Sequence, residues 1–274
     1  MFVILAMVHG FLEFPPRLLE SPLVIITYLL ICGVGVAMFL YREVLMRYFL
    51  PRTEYSVGAV ERPDARTLVV DLEPRGEPLV FAPGQYVYVN FASDGWRPHP
   101  FTVASGSSTR RLQLAIRTSG DETRGLYEVL QPGVTAVVYG PHGRFDYRRG
   151  GARQVWIAAG IGVTPFISWI RSLDHTFDRE VDFFYAVPNE HDASFVEEIQ
   201  EAAAQQPSLR VHLVLSEREG RLAPENVAKV AQTPLDEVWI YMCGPAPIMR
   251  SFERRFQQLG VPRSRIFWEH FELR

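Results

Sequence analysis

Hydrophobic residues are spread unevenly along the chain, and their pattern predicts three parts. The first contains an uncharged run from Ser21 to Tyr41. As a helix this run would extend about 31 Å, close to the roughly 30 Å of a bilayer's hydrocarbon core. We therefore predict a transmembrane helix; the alternative is a buried helix of a soluble protein. The apolar residues 1–14 are too few to span a bilayer, and we expect them to be the last half of another membrane helix.

Basic residues flank the long apolar run asymmetrically. Arg42, Arg47 and Arg52 follow it, whereas Arg17 alone precedes it. The positive-inside rule then places everything after the helix in the cytoplasm. We expect residues 1–50 to be a membrane segment of a membrane-associated protein whose remaining domains are cytoplasmic.

The second part, residues 51–150, has short apolar runs separated by proline and glycine. Such runs predict strands, and six of them at this spacing favour a small antiparallel β-barrel. One short helix is predicted over Thr123–Leu130. The predicted strands are Tyr55–Val60, Thr67–Leu72, Gln85–Phe91, Phe101–Ala104, Leu112–Arg117 and Thr135–Tyr139.

The third part, residues 151–274, alternates buried-strand and helix patterns. Apolar runs at 155–159, 181–187, 211–215 and 238–242 predict strands. This alternation predicts an α/β domain with a parallel sheet and helices on both faces. The predicted helices are Thr164–Leu173, Ser194–Gln205, Pro224–Ala231 and Pro247–Leu259.

Composition narrows the class of protein. Hydrophobic residues make up 47% and charged residues 22% of the 274 positions, which excludes disorder as the main state. A net charge of -3 argues against a protein that binds nucleic acid by neutralising phosphates. The two cysteines, Cys32 and Cys243, are too few for a disulfide framework, a four-cysteine zinc site or a four-cysteine iron–sulfur cluster.

A glycine-rich turn follows the first strand of the α/β domain. Gly160 and Gly162 allow a tight turn and a close approach of the backbone to a pyrophosphate. We expect Thr164 to cap the following helix and Pro165 to occupy its first position, so that free N–H groups face the phosphates. The alternative is a tight strand-to-helix turn that binds no ligand.

A second motif, C-G-P, stands at the end of the fourth apolar strand. Ligands of open parallel sheets lie beyond the carboxyl ends of strands, where both motifs occur. We therefore expect Cys243, Gly244 and Pro245 to belong to the same nucleotide site. The alternative for the cysteine is buried packing.

Five motifs occur in order along the chain: H-P-F-T (99–102), I-R-x-x-G-D-x-T (116–123), G-P-H-G (140–143), G-I-G-V-T-P-F (160–166) and C-G-P (243–245). Together they resemble the ferredoxin–NADP reductase superfamily, and the resemblance covers about residues 50–274. The H-P-F-T form and the preceding membrane helix resemble its ferric reductase and NADPH oxidase branch.

The resemblance implies FAD in the barrel and NADPH or NADH on the parallel sheet. It implies that Arg117 pairs with the FAD pyrophosphate as a fork of donors. Thr102 is expected to hydrogen-bond near flavin N5, and Phe101 to offer an aromatic face. The other residues implied to hold FAD are His99, Pro100, Gly120 and Thr123.

The C-terminal sequence F-W-E-H-F-E-L-R resembles the family's ending, in which an aromatic ring covers the flavin. Phe271 is the expected ring, with Trp268 as the other candidate, and Glu269 is expected near the flavin. The alternative is an edge strand with one inward aromatic. The expected catalytic set is Thr102, Cys243, Glu269 and Phe271.

Cofactor choice depends on the residues after the third apolar strand. Ser216 and Arg218, followed by Arg221, suit the 2′-phosphate of NADPH. Glu217 and Glu219 lie between them, and NADH or an ordinary charged loop remain the alternatives.

The resemblance also implies a haem pair as the next electron acceptor, but two haems cannot be ligated by this chain. His9 is the one histidine in an apolar membrane segment and matches a haem ligand; its alternative is a lone interfacial histidine. We expect a shortened relative: a fragment, a partner of a separate haem-bearing subunit, or a reductase of a cytoplasmic acceptor.

The predicted function is a membrane-anchored flavoprotein that passes electrons from NAD(P)H through FAD to a haem, ferric or oxygen acceptor. One alternative is a reductase of a soluble carrier such as ferredoxin or an oxygenase component. A second alternative is a non-catalytic membrane subunit that binds nucleotide.

Overall fold

A computed structural model describes residues 21–41, 52–64, 66–92, 98–118, 121–231, 235 and 237–269. The chain divides into two compact units, Met1–Pro51 and Arg52–Arg274. In the first unit, helix α1 (Pro22–Leu40) has 19 residues, a mean hydropathy of 2.6 and no buried side chain. Its length and composition suit a membrane span, and its insertion into a membrane stays a prediction.

The second unit begins with six antiparallel strands that form a nearly closed barrel. Their order is β4-β3-β6-β1-β2-β5, and a bridge between Val103 and Leu114 joins the two edge strands. The six predicted strands and the short helix are therefore confirmed, with small shifts at their ends. The elements are β1 (Arg52–Glu61), β2 (Thr67–Pro74), β3 (Tyr86–Phe91), β4 (His99–Thr102), β5 (Leu112–Arg117), α2 (Asp121–Val129) and β6 (Thr135–His142).

A five-stranded parallel sheet follows, in the order β11-β10-β7-β8-β9. After β9 the chain returns to the other side of β7, so the strand order reverses between β7 and β10. Such a switch point leaves a crevice at the carboxyl ends of the two strands. The strands are β7 (Arg153–Ala159), β8 (Glu180–Val187), β9 (Leu209–Leu215), β10 (Trp239–Cys243) and β11 (Ile266–Glu269).

Helices cover this sheet, and the four predicted ones are confirmed. They are α3 (Thr164–Ile170), α4 (Val196–Gln205), α6 (Pro224–Val230) and α7 (Ala246–Gln258). A one-turn helix, α5 (Ser216–Glu219), occupies residues that the sequence predicts to be loop. Strand β11 corresponds to the alternative interpretation of the C-terminus as an edge strand.

The barrel and the α/β lobe are joined by a shared core and a polar seam. Phe145 and Tyr147, which precede the boundary predicted at residue 150, pack in the same cluster as Trp156 and Trp169. In the seam, the Arg171 guanidinium donates to the Ala104 carbonyl (3.1 Å) and to Gln113 Oε1 (2.5 Å), while Ser168 Oγ donates to the Ser105 carbonyl (2.8 Å). These contacts fix the lobes against each other and define the crevice between them.

Candidate functional site

One large cavity of about 1140 Å³ opens between the barrel and the carboxyl end of the parallel sheet. Single small-molecule pockets usually span about 300–1,000 Å³, so this one can hold a ligand of dinucleotide size. Residues of both lobes line it. The predicted site residues in the lining are Pro100, Phe101, Thr102, Arg117, Thr123, Gly160, Gly162, Thr164, Ser216, Gly244 and Pro245.

Thr102 presents a hydroxyl that lacks a partner. It ends β4 opposite Tyr86, is buried, and its Oγ1 has no hydrogen bond to any part of the chain that the structure describes. An unpaired buried hydroxyl costs about 1–3 kcal/mol, so a polar ligand atom that accepts its proton would be favoured. The neighbouring His99 is buried with its ring centroid 6.3 Å from that of Phe101, and it does not line the cavity.

Arg117 reaches from the last residue of β5 across to the α/β lobe. Its Nη2 donates to Asp192 Oδ1 at 2.5 Å, and both side chains are about one-fifth exposed. A phosphate partner is predicted for Arg117, and the structure shows an additional carboxylate partner. Thr123 is buried in the lining, whereas Gly120 lies outside the described residues.

The glycine turn has two glycines with different constraints. Gly160 has φ +56°, a left-handed conformation that favours glycine. Gly162 lies so close to β10 that an added Cβ would overlap the Cys243 carbonyl group and lie 2.8 Å from the Gly244 nitrogen. Gly162 therefore allows the turn to pack against the neighbouring strand end, which brings the two predicted motifs together.

The predicted cap by Thr164 is wrong. Residues Gly160–Val163 form a 3-10 turn, and Thr164 is the first residue of α3. Its Oγ1 donates backward to the Ile161 carbonyl at 2.7 Å, and among the described residues α3 has no side-chain cap hydrogen bond. Pro165 lies in the first turn as expected, but it is buried and outside the cavity lining.

Cys243 and Glu269 are cross-strand neighbours on β10 and β11. The thiol of Cys243 is fully buried in the core and does not line the cavity, and its role at the nucleotide site stays a prediction. Burial, and secondarily the nearby Glu269 carboxyl, raise the pKa of the Cys243 thiol. The thiol is therefore a neutral, apolar neighbour rather than a thiolate nucleophile.

Glu269 carries a carboxyl group with an orphaned oxygen. Burial raises its pKa from 4.5 to about 7, and its Oε2 has no hydrogen-bond partner among the described residues. The carboxyl faces Gly143, whose added Cβ would lie 3.5 Å from Glu269 Oε1 and 3.2 Å from the Tyr86 ring. Since Tyr86 pairs with Thr102 across β3 and β4, the carboxyl lies close to the barrel side of the site.

The two candidate covering rings have different outcomes. Trp268 donates from Nε1 to Glu253 Oε2 at 2.8 Å and packs against the core beneath α7, so it is held away from the cavity lining. Phe271 lies outside the described residues, and its covering role stays a prediction.

The two arginines predicted after β9 differ in their position relative to the cavity. Ser216 and Arg221 line the cavity, but Arg218 does not. The Arg218 guanidinium is exposed and pairs with Glu219 (2.7 Å) and Glu190 (3.8 Å). Among the described residues no ion pair neutralises Arg221, so it is the available cation on this wall.

The haem prediction cannot be placed on this structure. His9 lies outside the described residues. Within the described ranges, no group of three His, Cys, Asp or Glu side chains could hold a metal ion.

Asp192 is a site residue to which the sequence does not point, whereas Arg221 is among the residues predicted from it. Asp192 stands 75 positions from Arg117 in an acidic turn that resembles any solvated loop. Arg221 follows Gly220, whose φ of +79° turns the chain back toward the cavity. A turn-forming glycine next to an arginine was the one local sign of that reversal.

Comparison with known proteins identifies two domains. Residues 52–168 match the FAD-binding domain family, and residues 156–254 match the oxidoreductase NAD-binding domain family. The two matches overlap where the glycine turn packs between the lobes.

Two curated relatives are reductase components of monooxygenase systems. The ferredoxin–NAD(+) reductase component of the alkene monooxygenase system of Xanthobacter autotrophicus is 29% identical over 210 residues, covering 72% of this chain and 63% of the relative. The propane 2-monooxygenase reductase component of Rhodococcus jostii is 28% identical over 244 residues, covering 78% and 65%. The chain thus spans less than two thirds of the length of either relative.

The fold is also that of a solved flavoprotein. A ferredoxin NADP+ reductase from Neisseria gonorrhoeae, solved with bound FAD and NADP, superimposes with a TM-score of 0.70 at 18% identity. The superposition covers 80% of this chain and 98% of that protein.

Proposed function

Since this chain belongs to the ferredoxin–NADP reductase superfamily, we propose that it takes a hydride from NADPH or NADH and delivers single electrons to a separate protein carrier. The chain is an FAD-dependent NAD(P)H oxidoreductase. Its finer assignment to the ferric reductase and NADPH oxidase branch has no specific support among the relatives described above.

The observation that supports this proposal is the shared cavity. Phe101 and Thr102 of the barrel and Gly160 and Gly162 of the α/β lobe line the same space of about 1140 Å³. Two ring systems can meet only if the flavin-side and nicotinamide-side residues open onto one crevice, and here they do. Holding both rings in contact makes the transfer effectively unimolecular.

The residues present fit the two cofactors. Bound FAD supplies a hydride acceptor whose electrons can leave one at a time. Thr102 lines the cavity and its hydroxyl has no partner among the described residues, so it is available to a ring nitrogen of a bound flavin. Glu269, with its raised pKa, holds a proton at its carboxyl near neutral pH. Gly162 and Gly244 line the cavity, and each packs so closely against the neighbouring strand that an added side chain would overlap protein atoms.

The acceptor proposal comes from the relatives. The Xanthobacter and Rhodococcus proteins are named as reductase components of monooxygenase systems. We assign to this chain the same kind of partner: a soluble ferredoxin or an oxygenase component. No iron–sulfur cluster held by four cysteines fits within this chain, because it has only Cys32 and Cys243. The carrier must therefore bring its own one-electron centre.

The cofactor experiment uses the full chain under anaerobic conditions. The purified protein is expected to show a flavin spectrum, and NADPH or NADH is expected to bleach it within one turnover. A chain that binds nucleotide but neither carries flavin nor bleaches would contradict the proposal and favour the non-catalytic subunit.

A second candidate function is supported by helix α1. Its 19 uncharged residues, none of them buried, suit a membrane anchor for a reductase that feeds a haem subunit. The two functions differ in a fractionation experiment. Reduction of added ferredoxin by protein extracted without detergent supports the soluble-carrier proposal. A Soret band that shifts on adding NADPH to membranes carrying the chain supports the haem proposal.

The preferred nicotinamide cofactor is proposed to be NADPH. Ser216 and Arg221 line the wall after β9, and an arginine there can bind the 2′-phosphate. Of the two arginines predicted for this wall, Arg221 lines the cavity, whereas Arg218 is paired with Glu190 and Glu219 outside the lining.

A further inference from the structure

The ion pair between Arg117 and Asp192 connects the two lobes at the cavity wall. Arg117 belongs to barrel strand β5, and Asp192 ends a 3-10 turn, Glu190–Asp192, of the α/β lobe. Their side chains meet at 2.5 Å, with about one-fifth of each exposed. A pair this shielded from water is worth more than an exposed one and orients the guanidinium.

The carboxylate uses only one edge of the guanidinium. Asp192 accepts from Nη2, whereas Nη1 faces the glycine turn, 3.5 Å from the position of an added Gly160 Cβ. Among the described residues, Asp192 is the one hydrogen-bond partner of the Arg117 side chain. A guanidinium has five N–H donors, so several remain for an anion in the cavity.

The position of Asp192 is itself fixed. The side chain of Asn189 accepts a hydrogen bond from the Asp192 backbone N–H at 3.3 Å, which closes the turn. The nearby Tyr185 is buried, and its hydroxyl donates to the Ser194 carbonyl at 3.1 Å, on the other side of Asp192 in the chain. The carboxylate is thus held on a rigid support rather than on a loose loop.

We propose that Asp192 is a positioning residue for the flavin nucleotide: it holds the Arg117 guanidinium so that its free donors meet the diphosphate of FAD. This inference rests on the proposed function, because it requires FAD in the barrel. It also means that a residue of the nicotinamide lobe contributes to flavin affinity without touching the flavin nucleotide.

Competition between Asp192 and the diphosphate would have the opposite effect on FAD affinity. If the carboxylate competed with the diphosphate for Arg117, removing it would tighten FAD binding. Positioning and competition therefore predict opposite signs for one measurement, the dissociation constant of FAD from flavin-stripped protein.

The experiment compares Asp192→Asn with Glu190→Gln in the full chain. Glu190 lies on the same turn and loses the same charge, but it is exposed and contacts Arg218 instead. Titration is followed by quenching of flavin fluorescence, with FAD and with riboflavin, which has no phosphate. Asp192→Asn is expected to weaken FAD about 10-fold, the size of one charge-assisted hydrogen bond, and to leave riboflavin and Glu190→Gln unchanged.

A double-mutant cycle distinguishes positioning from a general loss of structure. In an Arg117→Ala background, Asp192→Asn should have no further effect on FAD affinity, because it acts through Arg117. Should Asp192→Asn not fold, Arg117→Lys provides the second variant. Lysine keeps the charge but cannot serve both anions, so FAD should weaken while riboflavin does not.

Three results would overturn the inference: FAD affinity that is unchanged or tighter in Asp192→Asn, equal losses for FAD and riboflavin, or additive effects in the cycle. Failure of the proposed function looks different, because the unaltered protein would then bind no FAD at all.

Discussion

The backbone of Gly162 lies in contact with the Cys243 carbonyl group, so the glycine turn after β7 and the end of β10 form one packed unit. A side chain on Gly162 would have to displace backbone rather than a flexible side chain. Gly162 and Cys243 stand 81 positions apart in the sequence, and the two motifs that contain them are therefore mutually dependent in the fold.

Gly162→Ala is expected to lower the free energy of unfolding by about 1–3 kcal/mol, because the added methyl overlaps backbone atoms of β10. Denaturant unfolding of the flavin-stripped protein measures it. The control is Gly125→Ala in α2, where an added Cβ meets nothing within 4 Å and alanine should stabilise the helix by up to about 1 kcal/mol. Equal effects of the two changes would contradict the packing argument.

Thr102→Val is expected to slow flavin reduction about 10-fold and to retain FAD, because the hydrogen bond near the reacting ring is lost. The same change should stabilise the flavin-free protein by about 1 kcal/mol, since an unpaired buried hydroxyl is removed. Thr67→Val is the matched control: its Oγ1 is also buried and unpaired, but Thr67 does not line the cavity. Rapid mixing with NADPH measures reduction, and an unchanged rate in Thr102→Val would remove the proposed role.

Glu269→Gln is expected to alter how stability depends on pH. Burial raises the pKa of Glu269 from 4.5 to about 7, so the folded protein holds this proton more tightly than the unfolded chain does. Stability contributed by the protonated form is therefore present below pH 4.5 and lost as pH rises through 7, by about 3 kcal/mol. Glutamine cannot ionise, so the variant should gain stability over the unaltered protein across this window. If the difference in unfolding free energy between the variant and the unaltered protein is the same at pH 5 and pH 8, the carboxyl is not buried and unpaired.

Asp182→Asn is expected to show the opposite pH behaviour. Burial alone raises the Asp182 pKa, but hydrogen bonds with His212 (2.9 Å) and Arg210 (2.8 and 3.0 Å) outweigh it and lower the pKa from 3.8 to about 2. The ionised form therefore stabilises the fold by about 2 kcal/mol above pH 3.8, and this is lost as pH falls through 2. The difference in unfolding free energy between protein and variant should shrink over that interval; a constant difference would contradict the ion-pair account.

Arg221→Ala is expected to raise the KM for NADPH about 10- to 100-fold and to leave the KM for NADH unchanged, because the lost contact is with the 2′-phosphate. Arg218→Ala is the control, since its guanidinium pairs with Glu219 and Glu190 outside the cavity lining. Steady-state kinetics with both cofactors measures the difference. A larger effect from Arg218→Ala would indicate that Arg218, rather than Arg221, binds the 2′-phosphate.

The sequence predicted elements well where periodicity carries the information. Strands of alternating or continuous apolar residues, such as β2 and β8, appear within about two residues of their predicted bounds. The short β11 was only an alternative, because four residues beside a chain end give too little pattern to distinguish strand from loop.

Side-chain partners were less predictable than elements. Thr164 follows a glycine pair, which suggests a cap, but the 3-10 turn offers it the nearer Ile161 carbonyl. Arg117 was predicted to have a phosphate partner, and its carboxylate partner Asp192 is brought near only by the packing of one lobe on the other. Cys243 was predicted at a ligand edge, and its side chain is buried in the core cluster that contains Trp156 and Tyr241. Such pairings depend on tertiary distances that no local pattern encodes.

The polar seam has a consequence for modularity. Ser168 of α3 donates to the Ser105 carbonyl, and Arg171, the residue that follows α3, donates to the Ala104 carbonyl, immediately after the Val103 bridge that closes the barrel. If the barrel or the α/β lobe were replaced by that of a distant homologue, these two carbonyl groups would lose their hydrogen-bond donors inside the interface. Chimeras should therefore fold only when residues 104–105 and 168–171 come from the same parent protein. Recombination is thus constrained to transfer the two lobes as a matched pair.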